Sequence, residues 1–460
     1  MFAGAIMVPH PPVALAEVGR GREKQMQKTE DGYRQAAQFA ADCHPDTLII
    51  LSPHAVLYRD WFNVSGGKRA YGDMGQFNAG RVAFDVPYDM EFVEKLDHLL
   101  HENNFPGGTD YDRDRMLDHG TMVPLYFLNK AIGRQLPIVR IGLSGLSLPQ
   151  HYRFGMFLRK IIDESEKRYF IVASGDLAHC QKEDGPYGYR PEGPEYDEKI
   201  MRTMASGNFG ELLSYEPAFL SRAMECGHRS FTILAGILDR NAVTCHEISH
   251  EAPFGVGYGV CTFEVGESDP SRNFLDQYEE QEEKKNESST GDPYVALAKK
   301  TIALYVKTGK VLSLPNDLPQ SMYQTRRGVF VSIHEFNDLR GCIGTIHPVQ
   351  ENVGLEIIHN AISACARDPR FDPVTPQELP YLTVSVDELS EPETVALNYR
   401  FNVKRDGIIV SKDSRRGVLL PDLEGVDTDE QQFSIACRKA GISPSESGIT
   451  RQRFEVIRHV

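Results

Sequence analysis

Residues 47–55 read Thr-Leu-Ile-Ile-Leu-Ser-Pro-His-Ala. An unbroken apolar and β-branched run closed by Ser-Pro is the pattern of a strand buried on both faces. The histidine after it, His54, leaves the strand at its carboxyl end, and in open α/β sheets that edge is where sites are built. The format recurs: the run Phe2–Val8 leads into Pro9-His10, and Tyr169–Ala173 leads into Ser-Gly-Asp-Leu-Ala-His, ending at His179. His119 sits in Leu-Asp-His-Gly-Thr. One such histidine is usually a satisfied core or loop residue, because histidine burial is intermediate. Repetition of the context points instead to a metal centre with acid/base histidines beside it.

Working outward, further strand candidates are Leu136–Gly142 and Gly255–Val265. Helical patterns fall near Glu23–Asp42, Met90–Asn103, His151–Glu166, Pro194–Ser206 and Phe231–Asp239. This alternation predicts an α/β layer domain over residues 1–266. Residues 267–292, ESDPSRNFLDQYEEQEEKKNESSTGD, are polar and acidic and read as a linker unable to bury a core. Residues 293–460 predict a separate α+β domain. Its expected elements are a helix near Tyr294–Thr308, a hairpin of Gly328–His334 and Leu339–Ile346 turned at Asn337-Asp338, and a helix near Val353–Arg367. Strands near Leu382–Asp387, Gly407–Ser411 and Gly417–Pro421 follow, then a helix near Glu430–Ala440 and a last strand Arg453–Arg458.

The chain has 460 residues, 41% of them hydrophobic and 25% charged, as in soluble globular protein. Its net charge of −15 and lack of a long basic run argue against nucleic-acid binding. No apolar run is long enough to span a membrane, and the N-terminus lacks the basic and long apolar regions of a signal peptide. The 8 cysteines contain no CxxC pair, which disfavours a zinc ribbon and fits a reduced, cytoplasmic protein. A homo-oligomer remains compatible with all of this.

Two neutral imidazoles and one carboxylate with open positions suit non-haem Fe(II). His10 and His54 are the best ligand candidates, since both follow a strand-like run and a proline. His119 and His179 then suit proton transfer, with Asp118 and Asp176 placed to fix histidine tautomers. Residues 246–250 also spell His-Glu-Ile-Ser-His, a literal HExxH. On a helix this spacing would hold zinc, with Glu247 as base. The β-branched surroundings and the nearby Pro253 and Gly255 favour a strand, where His246 and His250 would share a face about 13 Å apart, too far for one ion. In the second domain, Leu339-Arg340-Gly341-Cys342-Ile343-Gly344 sets a thiol between two glycines, and Arg340 could lower its pKa. The bland alternative is a buried, inert cysteine.

The first domain resembles the class III extradiol dioxygenase superfamily, and within it the Memo-like branch. VPHPP, SPHA, DHGTMVPL, SGDLAH, ECGHRS and APFGVGYGV carry the resemblance. It implies that His10 and His54 bind the metal, Fe(II) first and Zn or Cu as alternatives, and that His119 and His179 line the site. Extradiol enzymes take their third ligand from a glutamate and Memo-like proteins have a cysteine before glycine there; this chain has Glu225-Cys226-Gly227, so both remain open. His228 and Glu251 are further alternatives. The implied substrate is a small aromatic diol-like molecule. The second domain resembles the AMMECR family, whose hallmark is LRGCIG; Arg367-Asp368-Pro369-Arg370-Phe371 also fits. Joined Memo-like and AMMECR parts resemble the AmmeMemoRadiSam system, which implies a radical-SAM protein as partner. The readings are therefore a dioxygenase-type oxidoreductase or a metal-binding accessory protein.

Overall fold

The computed structural model describes the chain except residues 113–115, 289–290, 336–337, 377, 397 and 424. It divides into two units, Met1–Glu279 and Glu280–Val460.

The strands of the first unit are β1 (Phe2–Val8), β2 (Thr47–Ser52), β3 (Phe62–Asn63), β4 (Arg69–Met74), β5 (Ala79–Pro87), β6 (Gly107–Gly108), β7 (Ile138–Gly142), β8 (Tyr169–Ser174), β9 (Asn241–Glu251) and β10 (Tyr258–Ser268). Its helices are α1 (Ala16–Gly19), α2 (Gln27–Asp42), α3 (Met90–Glu102), α4 (His119–Ile132), α5 (Leu148–Asp163), α6 (Glu192–Ser206), α7 (Pro217–Ala223) and α8 (His228–Ile237), and α9 (Phe274–Ser288) begins in this unit and runs past Glu279. The main sheet has the order β7-β2-β8-β1-β10-β9. β7, β2, β8 and β1 run parallel, and β10 and β9 add antiparallel at one edge. Every residue of β2, β7 and β8 is buried, as expected where helices cover both faces of a parallel sheet. Because β1, β2 and β8 are parallel neighbours, the segments after Val8, Ser52 and Ser174 emerge at the same edge.

Several elements depart from the sequence expectation, among them one helix, one hairpin and part of the linker. Helix α4 had no amphipathic signal, because it is buried nearly all round and contains Pro124. The hairpin β4–β5 was missed because glycines and charges interrupt its apolar alternation. The stretch expected as a coreless linker contains α9, whose Leu275 and Tyr278 are buried; their spacing places both on one helical face.

The second unit holds α10 (Pro293–Thr308), α11 (Gln320–Gln324), α12 (Val353–Ala366) and α13 (Asp429–Ala440). Its strands are β11 (Gly328–Glu335), β12 (Asp338–Gly344), β13 (Leu382–Leu389), β14 (Glu393–Thr394), β15 (Asp406–Lys412), β16 (Arg415–Leu419) and β17 (Thr450–His459). The sheet order is β12-β11-β13-β17-β15-β16, with β14 on β17. Helices α10 and α12 and strands β11 and β13 supply one apolar core, and α13 with β15 and β16 supplies a second. Strands β11 and β12 pair antiparallel, as expected of the LRGCIG hairpin; Asn337 of its expected turn lies outside the described residues.

Candidate metal centre

His10 follows β1, His54 follows β2, and Cys226 lies just before α8. The structure brings the three together: one ligand atom from each lies within 4.8 Å of the others. The His10 and His54 Nε2 atoms are 3.0 Å apart, and Cys226 Sγ is 3.5 Å from His10 Nε2. Gly175 and Gly227 allow this approach, since a Cβ on Gly175 would fall 2.2 Å from the Gly227 Cα. Side chains there would push the start of α8, and Cys226 with it, away from the end of β8.

Hydrogen bonds orient the His10 ring. Ser174 Oγ donates to the Gly120 carbonyl at 2.6 Å and lies 2.9 Å from His10 Nδ1. Its single proton being engaged by Gly120, the hydroxyl accepts from His10 Nδ1–H. His10 Nε2 therefore presents a lone pair towards His54 and Cys226. The ring is buried, and burial, reinforced by His54 and His119, holds its pKa well below the usual histidine value. Burial also lowers His54, although its residue surface is exposed and opens the site on that side. The Cys226 thiol is pushed well up, first by burial and then by Asp176 and Glu225.

His119 is the first residue of α4, and Asp118 is its N-cap. The His119 ring stacks on His54 at 4.1 Å between centroids and meets Phe77 edge-on at 5.7 Å. Burial, with His54 next, drops its pKa to about 4. His179 hydrogen-bonds through Nδ1 to the Met224 carbonyl, which can only accept, so Nε2 carries the free lone pair. Tyr187, 54% exposed, lies against the His179 ring at 5.4 Å.

Several roles expected from the residue pattern need correction. Asp118 and Asp176 do not fix histidine tautomers in the way expected. Asp118 accepts from Ser52 Oγ at 2.5 Å, from Thr121, and from Arg140 Nε–H at 3.1 Å. Burial alone would raise Asp118, but Arg140 and the hydroxyls outweigh it and hold the carboxyl below its ordinary value. Asp176 accepts the backbone N–H of His10 at 2.7 Å. The Glu225 carboxylate accepts the His228 N–H at 2.6 Å at the start of α8 and is not among the three clustered donors. His228 is buried with Nε2 3.0 Å from the Leu212 carbonyl, and Glu251 accepts from Thr29 at 2.7 Å. Both alternatives are engaged elsewhere.

The HExxH segment lies in β9 as expected, but its two histidines do not share a face. A bulge between the Ser249–Val260 and Glu247–Cys261 pairs sets His246 opposite Thr262 and His250 opposite Gly259, three residues apart on β10 and hence on opposite faces. His250 instead pairs with the buried Asp197 at 3.0 Å.

Residues 4–261 match the family model described as the catalytic LigB subunit of aromatic ring-opening dioxygenase. The chain belongs to that family. Residues 295–459 of this LigB-family chain match the AMMECR1 model, so the two domains form a LigB/Memo-like and AMMECR fusion. A Clostridium acetobutylicum protein is 38% identical over 99% of this chain and 98% of its own length. A Thermotoga maritima protein is 46% identical over 36% of this chain and 97% of its own length. The crystal structure of an uncharacterized Pyrococcus horikoshii protein aligns over 36% of this chain and 88% of its own, at 32% identity and a TM-score of 0.34.

Sequence reasoning about the LigB-family domain missed Ser52, Ser174 and Arg140. Ser52 and Ser174 each close a buried strand immediately before a histidine segment, and that shared position was the available signal. Arg140 is fully buried in β7 and gave no sign of pairing with Asp118.

In the AMMECR domain, Arg340 does not act on the Cys342 thiol as expected. Its guanidinium pairs with Glu378 at 2.6 Å and donates to the Asp372 carbonyl. The cation at Cys342 is Arg370, which donates to the Cys342 carbonyl at 3.0 Å and pairs with Asp368 at 2.6 Å. Ser332 Oγ donates to Cys342 Sγ at 3.3 Å.

Proposed function

We propose that the LigB-family domain holds one metal ion on His10, His54 and Cys226 and binds a small protic molecule beside it, with His179 and His119 handling its protons. The observation that carries this reading is the buried lone pair of His10 Nε2, turned towards two further donor atoms. The donor spacing supports it. An ion 2.0–2.1 Å from nitrogen and 2.3 Å from sulfur in tetrahedral geometry separates N from N by about 3.3 Å and N from S by about 3.6 Å. The corresponding distances are 3.0 and 3.5 Å.

One thiolate with two imidazoles suits Zn or Cu better than Fe(II), which the Glu225 alternative would have favoured. When bound, such an ion supplies Lewis-acid polarisation of an oxygen ligand. His179 Nε2, left as the free lone pair by the Nδ1 bond to Met224, is placed to accept the proton of a substrate hydroxyl. His119, with its pKa near 4, is neutral and suits hydrogen bonding to a bound oxygen. Tyr187 supplies an aromatic wall. The family supports an aromatic diol as substrate and ring cleavage as the reaction. Cys226 and the fusion to an AMMECR domain favour a second reading, an accessory metal protein serving a radical-SAM partner.

The test is metal analysis of protein purified without air, beside His10→Ala and His54→Ala. About one ion per chain, lost in both variants, supports the centre; full occupancy in both refutes it. Catechol or protocatechuate under air then separates the readings, since extradiol cleavage gives a yellow product and a silent assay across many diols favours the accessory role.

A further inference from the structure

Pro124 stands inside α4, where proline removes a helical hydrogen bond and crowds the preceding turn. The carbonyl deprived of its donor is that of residue i−4, which is Gly120. That same carbonyl accepts the Ser174 hydroxyl proton at 2.6 Å. Ser174 in turn lies 2.9 Å from His10 Nδ1. Pro124, Gly120, Ser174 and His10 thus form one chain of hydrogen-bond dependence that crosses from a helix interior to a ligand ring. Pro124, Gly120 and Ser174 are all buried, so water does not substitute for any of these partners.

We propose that Pro124 is a positioning residue of the metal centre: by withholding an amide proton from Gly120 it reserves that carbonyl for Ser174, and Ser174 then fixes His10 in the Nδ1–H form with Nε2 free. With an amide at position 124, the Gly120 carbonyl would divide its two lone pairs between a helical N–H and the Ser174 hydroxyl. The hydroxyl would be held less firmly, its proton would turn part of the time to His10 Nδ1, and the ring would shift towards the Nε2–H form, whose lone pair faces away from His54 and Cys226. This explains why an interior proline sits one turn after His119, where helix stability argues against it.

The inference rests on the metal reading above, so its first readout needs no metal. Ring 15N–1H spectra of histidine-labelled, metal-free full-length protein report the tautomer of His10, assigned with His10→Ala. The wild-type ring is expected as Nδ1–H, and Ser174→Ala and Pro124→Ala are expected to populate Nε2–H. The second readout is Zn(II) affinity by chelator competition, expected to fall about 10- to 100-fold in Ser174→Ala, the usual cost of losing an outer partner of a ligand, and in the same direction in Pro124→Ala. A wild-type ring in the Nε2–H form overturns the proposal. So does a folded Pro124→Ala with an unchanged ring spectrum and wild-type affinity. If Ser174→Ala does not fold, the wild-type spectrum and Pro124→Ala decide. Tight binding that survives His10→Ala refutes the metal reading alone, and the tautomer spectra still decide the relay.

Discussion

Cys226 Sγ lies 3.5 Å from His10 Nε2, while the carboxylate of Glu225, the preceding residue, turns to the His228 amide at 2.6 Å. Neighbours in the chain thus have different partners: the thiol faces the histidines and the carboxylate closes the start of α8. Cys226→Ser is expected to weaken Zn(II) binding by more than the roughly 10- to 100-fold cost of losing an outer partner, and to remove the sulfur-to-metal charge-transfer band of the Co(II) form. Glu225→Gln is expected to leave both near wild type. The reverse pattern would return the third ligand to Glu225.

His151 makes stability acid-sensitive. Its Nδ1 faces the Ser147 carbonyl at 2.9 Å and its Nε2 accepts the Ser144 amide at 3.3 Å, an arrangement that only a neutral ring satisfies. Burial drives its pKa down to about 3. The unfolded chain takes up a proton below pH ~6.5 that the folded ring refuses, so stability is full above that value, falls with pH, and levels off below about pH 3. At pH 5 the loss from this ring is about 2 kcal/mol. Trp61 is the single tryptophan and lies in the first unit, so urea unfolding followed by its fluorescence reads this domain. His151→Gln is expected to lessen the slope, to which the His119 and His228 rings, held near 4, also contribute; an unchanged slope would show that His151 does not contribute to it.

Arg340 and Cys342 lie two residues apart, yet the guanidinium pairs with Glu378. Arg340→Ala is expected to destabilise the AMMECR domain by about 1–3 kcal/mol, the cost of leaving a largely buried partner unsatisfied. The rate of Cys342 alkylation by iodoacetamide, followed by mass spectrometry, should not change. Arg370→Ala is the variant expected to change it. A slower Cys342 in Arg340→Ala would restore Arg340 as the activating group.

The HExxH segment is expected to be inert. Glu247→Gln and His246→Ala should leave metal stoichiometry unchanged, because β9 sends His246 and His250 to opposite faces. Loss of an equivalent of metal in either variant would contradict the strand register.

Much of the scaffold was legible in the chain. Phe2–Val8 is the same strand by pattern and by structure, and the expected helix near Val353–Arg367 is α12 to within one residue. Both are long runs whose burial matches their hydrophobic period. Helix α4 was illegible for the opposite reason: buried almost all round, it has no polar face to reveal its period, and Pro124 reads locally as a breaker. The bulge in β9 was equally hidden, since one extra residue reverses the facing of those beyond it and leaves no mark on composition.

Strand identity, the α/β and α+β division and the histidine contexts follow from the amino-acid order, because hydrophobic period and turn residues act over neighbours in the chain. The donor set does not. Glu225 and Cys226 offer equally plausible ligands, and only the packing of α8 against the end of β8, where Gly175 meets Gly227, aims the thiol at His10. The same holds for Ser174, Gly120 and Pro124, which are local curiosities until the fold places a freed carbonyl beside a strand end. A hydrogen bond or a metal site depends on distances of about 3 Å between groups remote in sequence, and those distances exist only once the sheet and its helices have packed.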